Sequence, residues 1–165
     1  MVLKEIETLL FIESGAPVPV VLSNEYKLCL LYYYQKPNID GLYSDFPRER
    51  NNKEDRGIGV ITIKNQLIFK FGYPNSEALQ GHPYYNLGLE AYKLFEVVGS
   101  DWVKHIEQRN RVHPFHNPIR YMMNKHFLIA FEDSTFECVA LGMEIEFKPK
   151  MTMGEGLSFV SSQFG

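Results

Sequence analysis

The sequence predicts a single α+β domain, mainly antiparallel β-sheet, with two hairpins around 58–71 and 126–147 and one main helix, 101–110, packed on them. Three observations carry this expectation. Residues 126–147 show the period-two alternation of strands on either side of Asp133-Ser134. A second apolar pair, Gly57–Ile63 and Leu67–Phe71, flanks Lys64-Asn65-Gln66 and reads as another hairpin. Trp102, Val103 and Ile106 form a stripe at helical spacing behind Ser100, a good N-cap, and Asp101, an acid favoured in a first turn.

Taken in order, residues 2–12 carry apolar side chains that suit a short amphipathic helix, with a strand as the alternative. Gly15-Ala16-Pro17 ends this segment, and Val18–Leu22 and Leu28–Tyr34 read as strands joined through Ser23-Asn24-Glu25. Residues 35–56 are polar and rich in turn formers, and are expected to be a mobile loop. Residues 72–93 are irregular, Leu94–Val98 is a strand, and Pro118–Met123 is a further short helix after the break at Pro114. After Phe147 periodicity is lost, so 149–165 is expected to be a flexible tail.

The central hairpin places two sets of side chains on opposite faces. With a two-residue loop, Phe131 lies opposite Phe136 and Ala130 opposite Glu137. One face then holds Phe127, Ile129, Phe131, Phe136, Cys138 and Ala140, and the other holds His126, Leu128, Ala130, Glu137, Val139 and Leu141. Both are mostly apolar, so both should be covered. Glu137 is the exception, because a lone carboxylate on such a face needs a donor.

Composition narrows the function classes. An apolar share of 45% in 165 residues suffices for a real core. A net charge of −3 gives no electrostatic reason to expect nucleic acid. No apolar run is long enough for a membrane span, and the N-terminus lacks the basic start of a signal peptide, so a cytoplasmic protein with no membrane partner is expected. Cys29 and Cys138 both lie in strand patterns and read as buried thiols.

Three segments resemble a widespread family of uncharacterised bacterial proteins of similar length. They contain Gly81-His82-Pro83, then Asn110-Arg111-Val112-His113-Pro114-Phe115-His116, then Asp133-Ser134-Thr135-Phe136-Glu137-Cys138-Val139-Ala140. The resemblance runs from about residue 16 to residue 145 and omits 35–56. It implies no activity, cofactor or catalytic residue. Glu132 stands where the family pattern often has His.

Two functions follow as expectations. The first is a non-enzymatic domain binding a small molecule or protein through loops 72–93 and 111–125, with His82, Arg120 and Glu77 as ligand contacts and no cofactor. The second is a metal-dependent or acid/base hydrolase-like enzyme centred on Glu137, His116 and His113, which could ligate zinc or another divalent ion. Pro114 inside the His113–His116 pair excludes the helical two-histidine arrangement. Ser134 lacks a nucleophile-elbow sequence and is expected to bond its own turn.

Overall fold

The computed structural model describes residues 1–36 and 56–165. The expected mobile loop 35–56 lies almost wholly outside the described residues. Among the described residues, two antiparallel sheets and three α-helices make up the α+β fold. The first sheet runs β1 (Val2–Glu5), β6 (Leu94–Val98), β7 (Lys125–Ala130), β8 (Thr135–Ala140), β5 (Ile68–Gly72), in spatial order. The second runs β2 (Val20–Ser23), β3 (Leu28–Gln35), β4 (Arg56–Lys64), β9 (Gly142–Pro149).

The central hairpin forms with a two-residue loop as expected, but the turn falls one residue earlier, at Glu132-Asp133, so each pair shifts by two from the expected register. Ile129 pairs with Phe136 and Ala130 with Thr135, and Phe131 N–H closes the turn on Ser134 O at 2.8 Å. Because the register moves by an even number of residues, every side chain keeps its predicted face. Phe127, Ile129, Phe131, Phe136, Cys138 and Ala140 all enter the core between the sheets. They meet Leu28, Leu30, Tyr32 and Tyr34 of β3 and Ile61 and Ile63 of β4.

Two pairings depart from expectation. Residues 142–147 leave the first sheet and continue as β9 beside β4 in the second. Likewise 57–71 is not a hairpin: β4 pairs with β3 and β9, whereas β5 pairs with β8. The two chains cross between the sheets together, tied by Leu141 N–H to Lys64 O and Leu67 N–H to Val139 O. A strand that changes sheets keeps its alternation, so sequence periodicity does not reveal the corner. The N-terminal segment takes its alternative form, a strand, with Leu3 paired to Val97. Strand β2 starts at Val20 because Val18 has φ +42°, a left-handed conformation foreign to a strand.

Both outer faces are covered, as two apolar faces require. Over the first sheet lies segment 73–93, whose Leu79 and Leu89 pack on Phe95, Val97, Leu128 and Ala130. Over the second lies α3 (Met153–Ser161), so residues 149–165, expected as a flexible tail, instead hold a docked helix. A capping box starts it, with Thr152 and Glu155 bonding each other's backbone N–H. Gly156 lets it approach closely, since a Cβ there would stand 3.2 Å from Ile58 and Leu31. Helix α1 (Asp101–Asn110) has the expected bounds and cap, and α2 (Pro118–Met122) follows it. Among the described residues no helix is long and apolar enough to cross a membrane.

Candidate functional site

Glu137 finds its donors on the outer face of the first sheet. Cross-strand register puts Lys70 of β5 directly opposite it, with Nζ 3.9 Å from Oε1. His126 of β7 pairs with Val139, and so stands diagonal to Glu137 on the same face. Its Nε2 lies 2.8 Å from Glu137 Oε2, a charge-assisted hydrogen bond. His82 arrives from the covering segment with Nε2 3.6 Å from Oε1, an electrostatic contact too long for a hydrogen bond. His82 Nδ1 accepts from Tyr84 N–H, which leaves the proton of the neutral ring on Nε2, facing the acid.

The chain of bonds continues into α1. His126 Nδ1 lies 2.8 Å from Ser100 Oγ, which also accepts from Trp102 N–H as the helix N-cap. In the neutral imidazole the carboxylate takes the Nε2 proton bond and Nδ1 accepts from the Ser100 hydroxyl. Trp102 packs edge-on against the His126 ring at 5.0 Å, and Lys70 Nζ sits 4.1 Å from the centre of the indole. The cluster therefore joins the sheet, the covering segment and the start of α1.

Electrostatics keep Glu137 charged. Burial alone would raise its pKa, but the His126 bond, the approach of His82 and the Lys70 charge outweigh it and hold the carboxyl at about 2. The Cys138 thiol is pushed up to about 12 by burial and then by the Glu137 charge, which makes it inert as a nucleophile.

Ser100, His126 and Glu137 are ordered like a hydroxyl, base and acid relay. Ser100 is only 4% exposed, however, and its oxygen is committed to the cap. This geometry anchors a helix. Replacing Ser100 by Ala should cost about 2 kcal/mol, combining a lost cap with an unpaired buried His126 nitrogen. Urea unfolding and faster amide exchange at Trp102 would register it. A loss near zero would show that the bond does not hold α1.

The remaining predicted residues lie elsewhere. His116 bonds Glu107 through Nε2 at 2.9 Å and faces Asn110 Oδ1 through Nδ1 at 3.1 Å. His113 is exposed and accepts from Phe115 N–H. His113, His116 and Glu137 thus belong to separate hydrogen-bond networks, and among the described residues no group of His, Cys, Asp and Glu could hold a metal. The three side chains of the alternative metal set are therefore not brought together. The His126–Glu137 separation is also below the about 3.3 Å that two tetrahedral zinc ligands keep. Arg120 lies on the exposed side of α2, and Glu77 is exposed in the covering segment. Neither joins the Glu137 cluster.

One accessible concavity is a groove of about 540 Å³ between α1 and α2. Val103, Pro118, Tyr121 and Met122 give it apolar walls, and Lys104 and Arg111 stand on its lip. Arg111 holds Glu107 in a two-pronged ion pair at 2.9 to 3.2 Å. That pairing, then the bond from His116, keeps the Glu107 carboxyl below its ordinary range. Val112, Phe115, Ile119 and Met123, each next in sequence to a lining residue, are strongly exposed, Phe115 to 85%.

Sequence reasoning placed His126 on the face of Glu137 but did not join them, and it read Ser100 only as a cap. Lys70 and Glu107 were missed. Glu107 and Arg111 sit at i,i+4 on the helix, which is a usable signal; Lys70 had none without the β5–β8 pairing.

Fold and site define a two-sheet α+β protein with a buried histidine–carboxylate anchor at the start of α1 and an exposed groove between α1 and α2. No protein family, curated protein or solved structure matches this chain.

Proposed function

We propose that this protein is a non-enzymatic binding domain whose ligand site is the groove between α1 and α2. One observation carries the reading. Exposed Val112, Phe115, Ile119, Met122 and Met123 are concentrated within a single short stretch, and Met122 also lines the groove. Apolar side chains held in water around a concave surface mark a place where something else binds. The Glu137 cluster supports this reading by fixing the start of α1, one wall of the groove. Its carboxylate, imidazoles and hydroxyl are occupied and buried, with only the Lys70 side chain reaching solvent, which favours a structural role over acid/base chemistry.

The same reading has the protein in the cytoplasm, where two buried free thiols persist without oxidation. It includes no nucleic-acid partner, in keeping with the net charge of −3.

Indole, a small apolar probe, tests the groove. In two-dimensional NMR, titration should shift Val103, Glu107, His116, Tyr121 and Met122 together, and Met122→Asp should weaken binding roughly tenfold by placing a charge in the apolar wall. Shifts confined to Tyr84, His82 and Trp102 would move the site to the sheet. No shifts would remove the groove as a binding site.

A further inference from the structure

Resting on that reading, we infer that the groove takes a protein segment that combines apolar side chains with carboxylates. The charge distribution carries this step. Residues 101–125 contain five Lys or Arg and two Asp or Glu, in a chain whose net charge is −3. The region that exposes the apolar cluster is therefore locally basic on an acidic protein. Complementary charge steers encounter and rejects like-charged competitors.

The local geometry agrees. Lys104 and Arg111 line the groove with side chains 62% and 64% exposed, Lys104 Nζ lying 2.8 Å from Asp101 Oδ1 and open to solvent on its other side. Arg111 uses Nε and one terminal nitrogen on Glu107, which fixes the guanidinium plane and leaves its other terminal nitrogen for an incoming carboxylate. Below the lip the walls are apolar, so the occupant must present apolar side chains inward and acids at the edge. A helix-in-groove or extended segment meets both demands. A flat anionic bilayer meets the charge but leaves the concavity between α1 and α2 unfilled. Single-stranded nucleic acid meets the charge but does not supply aliphatic side chains for Val103, Pro118 and Met122. A second copy carries 17 Lys and Arg against 20 Asp and Glu, so its acids are largely balanced, whereas an acidic segment presents its carboxylates unopposed.

The experiment uses the whole protein and fluorescence anisotropy of a short leucine- and glutamate-containing amphipathic peptide. Its control is the same peptide with glutamine for glutamate. The acidic peptide should bind roughly tenfold more tightly at low salt, the difference expected from a few rim ion pairs. That advantage should shrink as salt is raised, because exposed pairs are screened. Arg111→Gln should reduce the advantage, and Met122→Asp should weaken both peptides. Equal affinity for the two peptides would overturn the acidic preference and leave the binding-domain reading intact. Loss of the indole shifts would overturn that reading itself. Tighter binding to phosphatidylserine vesicles or to an oligonucleotide than to the acidic peptide would overturn the inference in favour of those partners. Sedimentation as a dimer that Met122→Asp dissociates would make a second copy the occupant and also overturn it.

Discussion

Glu137→Ala is expected to destabilise the protein by about 3–5 kcal/mol, the cost of breaking a buried charged pair by removing one member. Three partners lose their common acceptor: His126 at 2.8 Å, His82 at 3.6 Å and Lys70 at 3.9 Å. The His126 ring is fully buried beneath Trp102 and Tyr84 and cannot turn to water. Glu137→Gln keeps an oxygen for one donor and should lose less, about 1–3 kcal/mol. Urea unfolding of the two variants checks the order. If Ala cost less than Gln, the carboxylate would not be the centre of the network.

The same residue sets an acid limit. Its carboxyl is held at about 2 in the folded protein, against about 4.3 when unfolded. A depressed carboxylate contributes stability that is fully present above the unfolded value and is lost as pH falls through the folded one. The contribution is roughly 3 kcal/mol and should disappear between about pH 5 and pH 2. Glu137→Gln, which cannot titrate, should flatten the stability curve in that window. An unchanged acid slope would assign the effect to other carboxylates.

Gly59→Ala is expected to cost about 3 kcal/mol, the upper end of overpacking. Gly59 pairs directly with Tyr32, and its missing side chain is where the tyrosine ring lies: a Cβ would stand 2.4 Å from ring carbon Cζ. The ring cannot retreat, because it is fully buried and its hydroxyl donates to Leu10 O at 2.8 Å. It also packs at 5.8 Å against Phe131 of the opposite sheet. A double-mutant cycle with Tyr32→Leu should show at least 1 kcal/mol of coupling, since a smaller partner makes room for the new methyl. Simple additivity would show that the ring does not oppose the methyl.

Local chemistry was legible wherever it was decided by neighbours along the chain. Ser100, Asp101 and the Trp102–Val103–Ile106 stripe specify α1 because a cap, a dipole and a 3.6-residue period are all local. The Phe131–Ser134 turn and the alternation on either side specify β7 and β8, and parity protected the faces even though the register moved by two. The same parity put His126 and Glu137 on one face. The expected flexible tail missed α3, whose Thr152 and Glu155 cap is local, because glycine is a poor helix former and Gly154 and Gly156 mask the helical pattern, Gly156 being needed to admit Ile58 and Leu31.

Residue pattern settles the class: strands with two apolar faces, one capped helix, and an acid requiring donors. Tertiary structure alone decided the partners. Alternation says which way a side chain points but carries no mark of which strand lies alongside, so β4 and β5 read as a hairpin until β8 and β9 crossed between the sheets with them. For the same reason Glu137 met His82, His126 and Lys70, contributed from separate parts of the chain, while His113 and His116 remained with α1, where local bonding holds them.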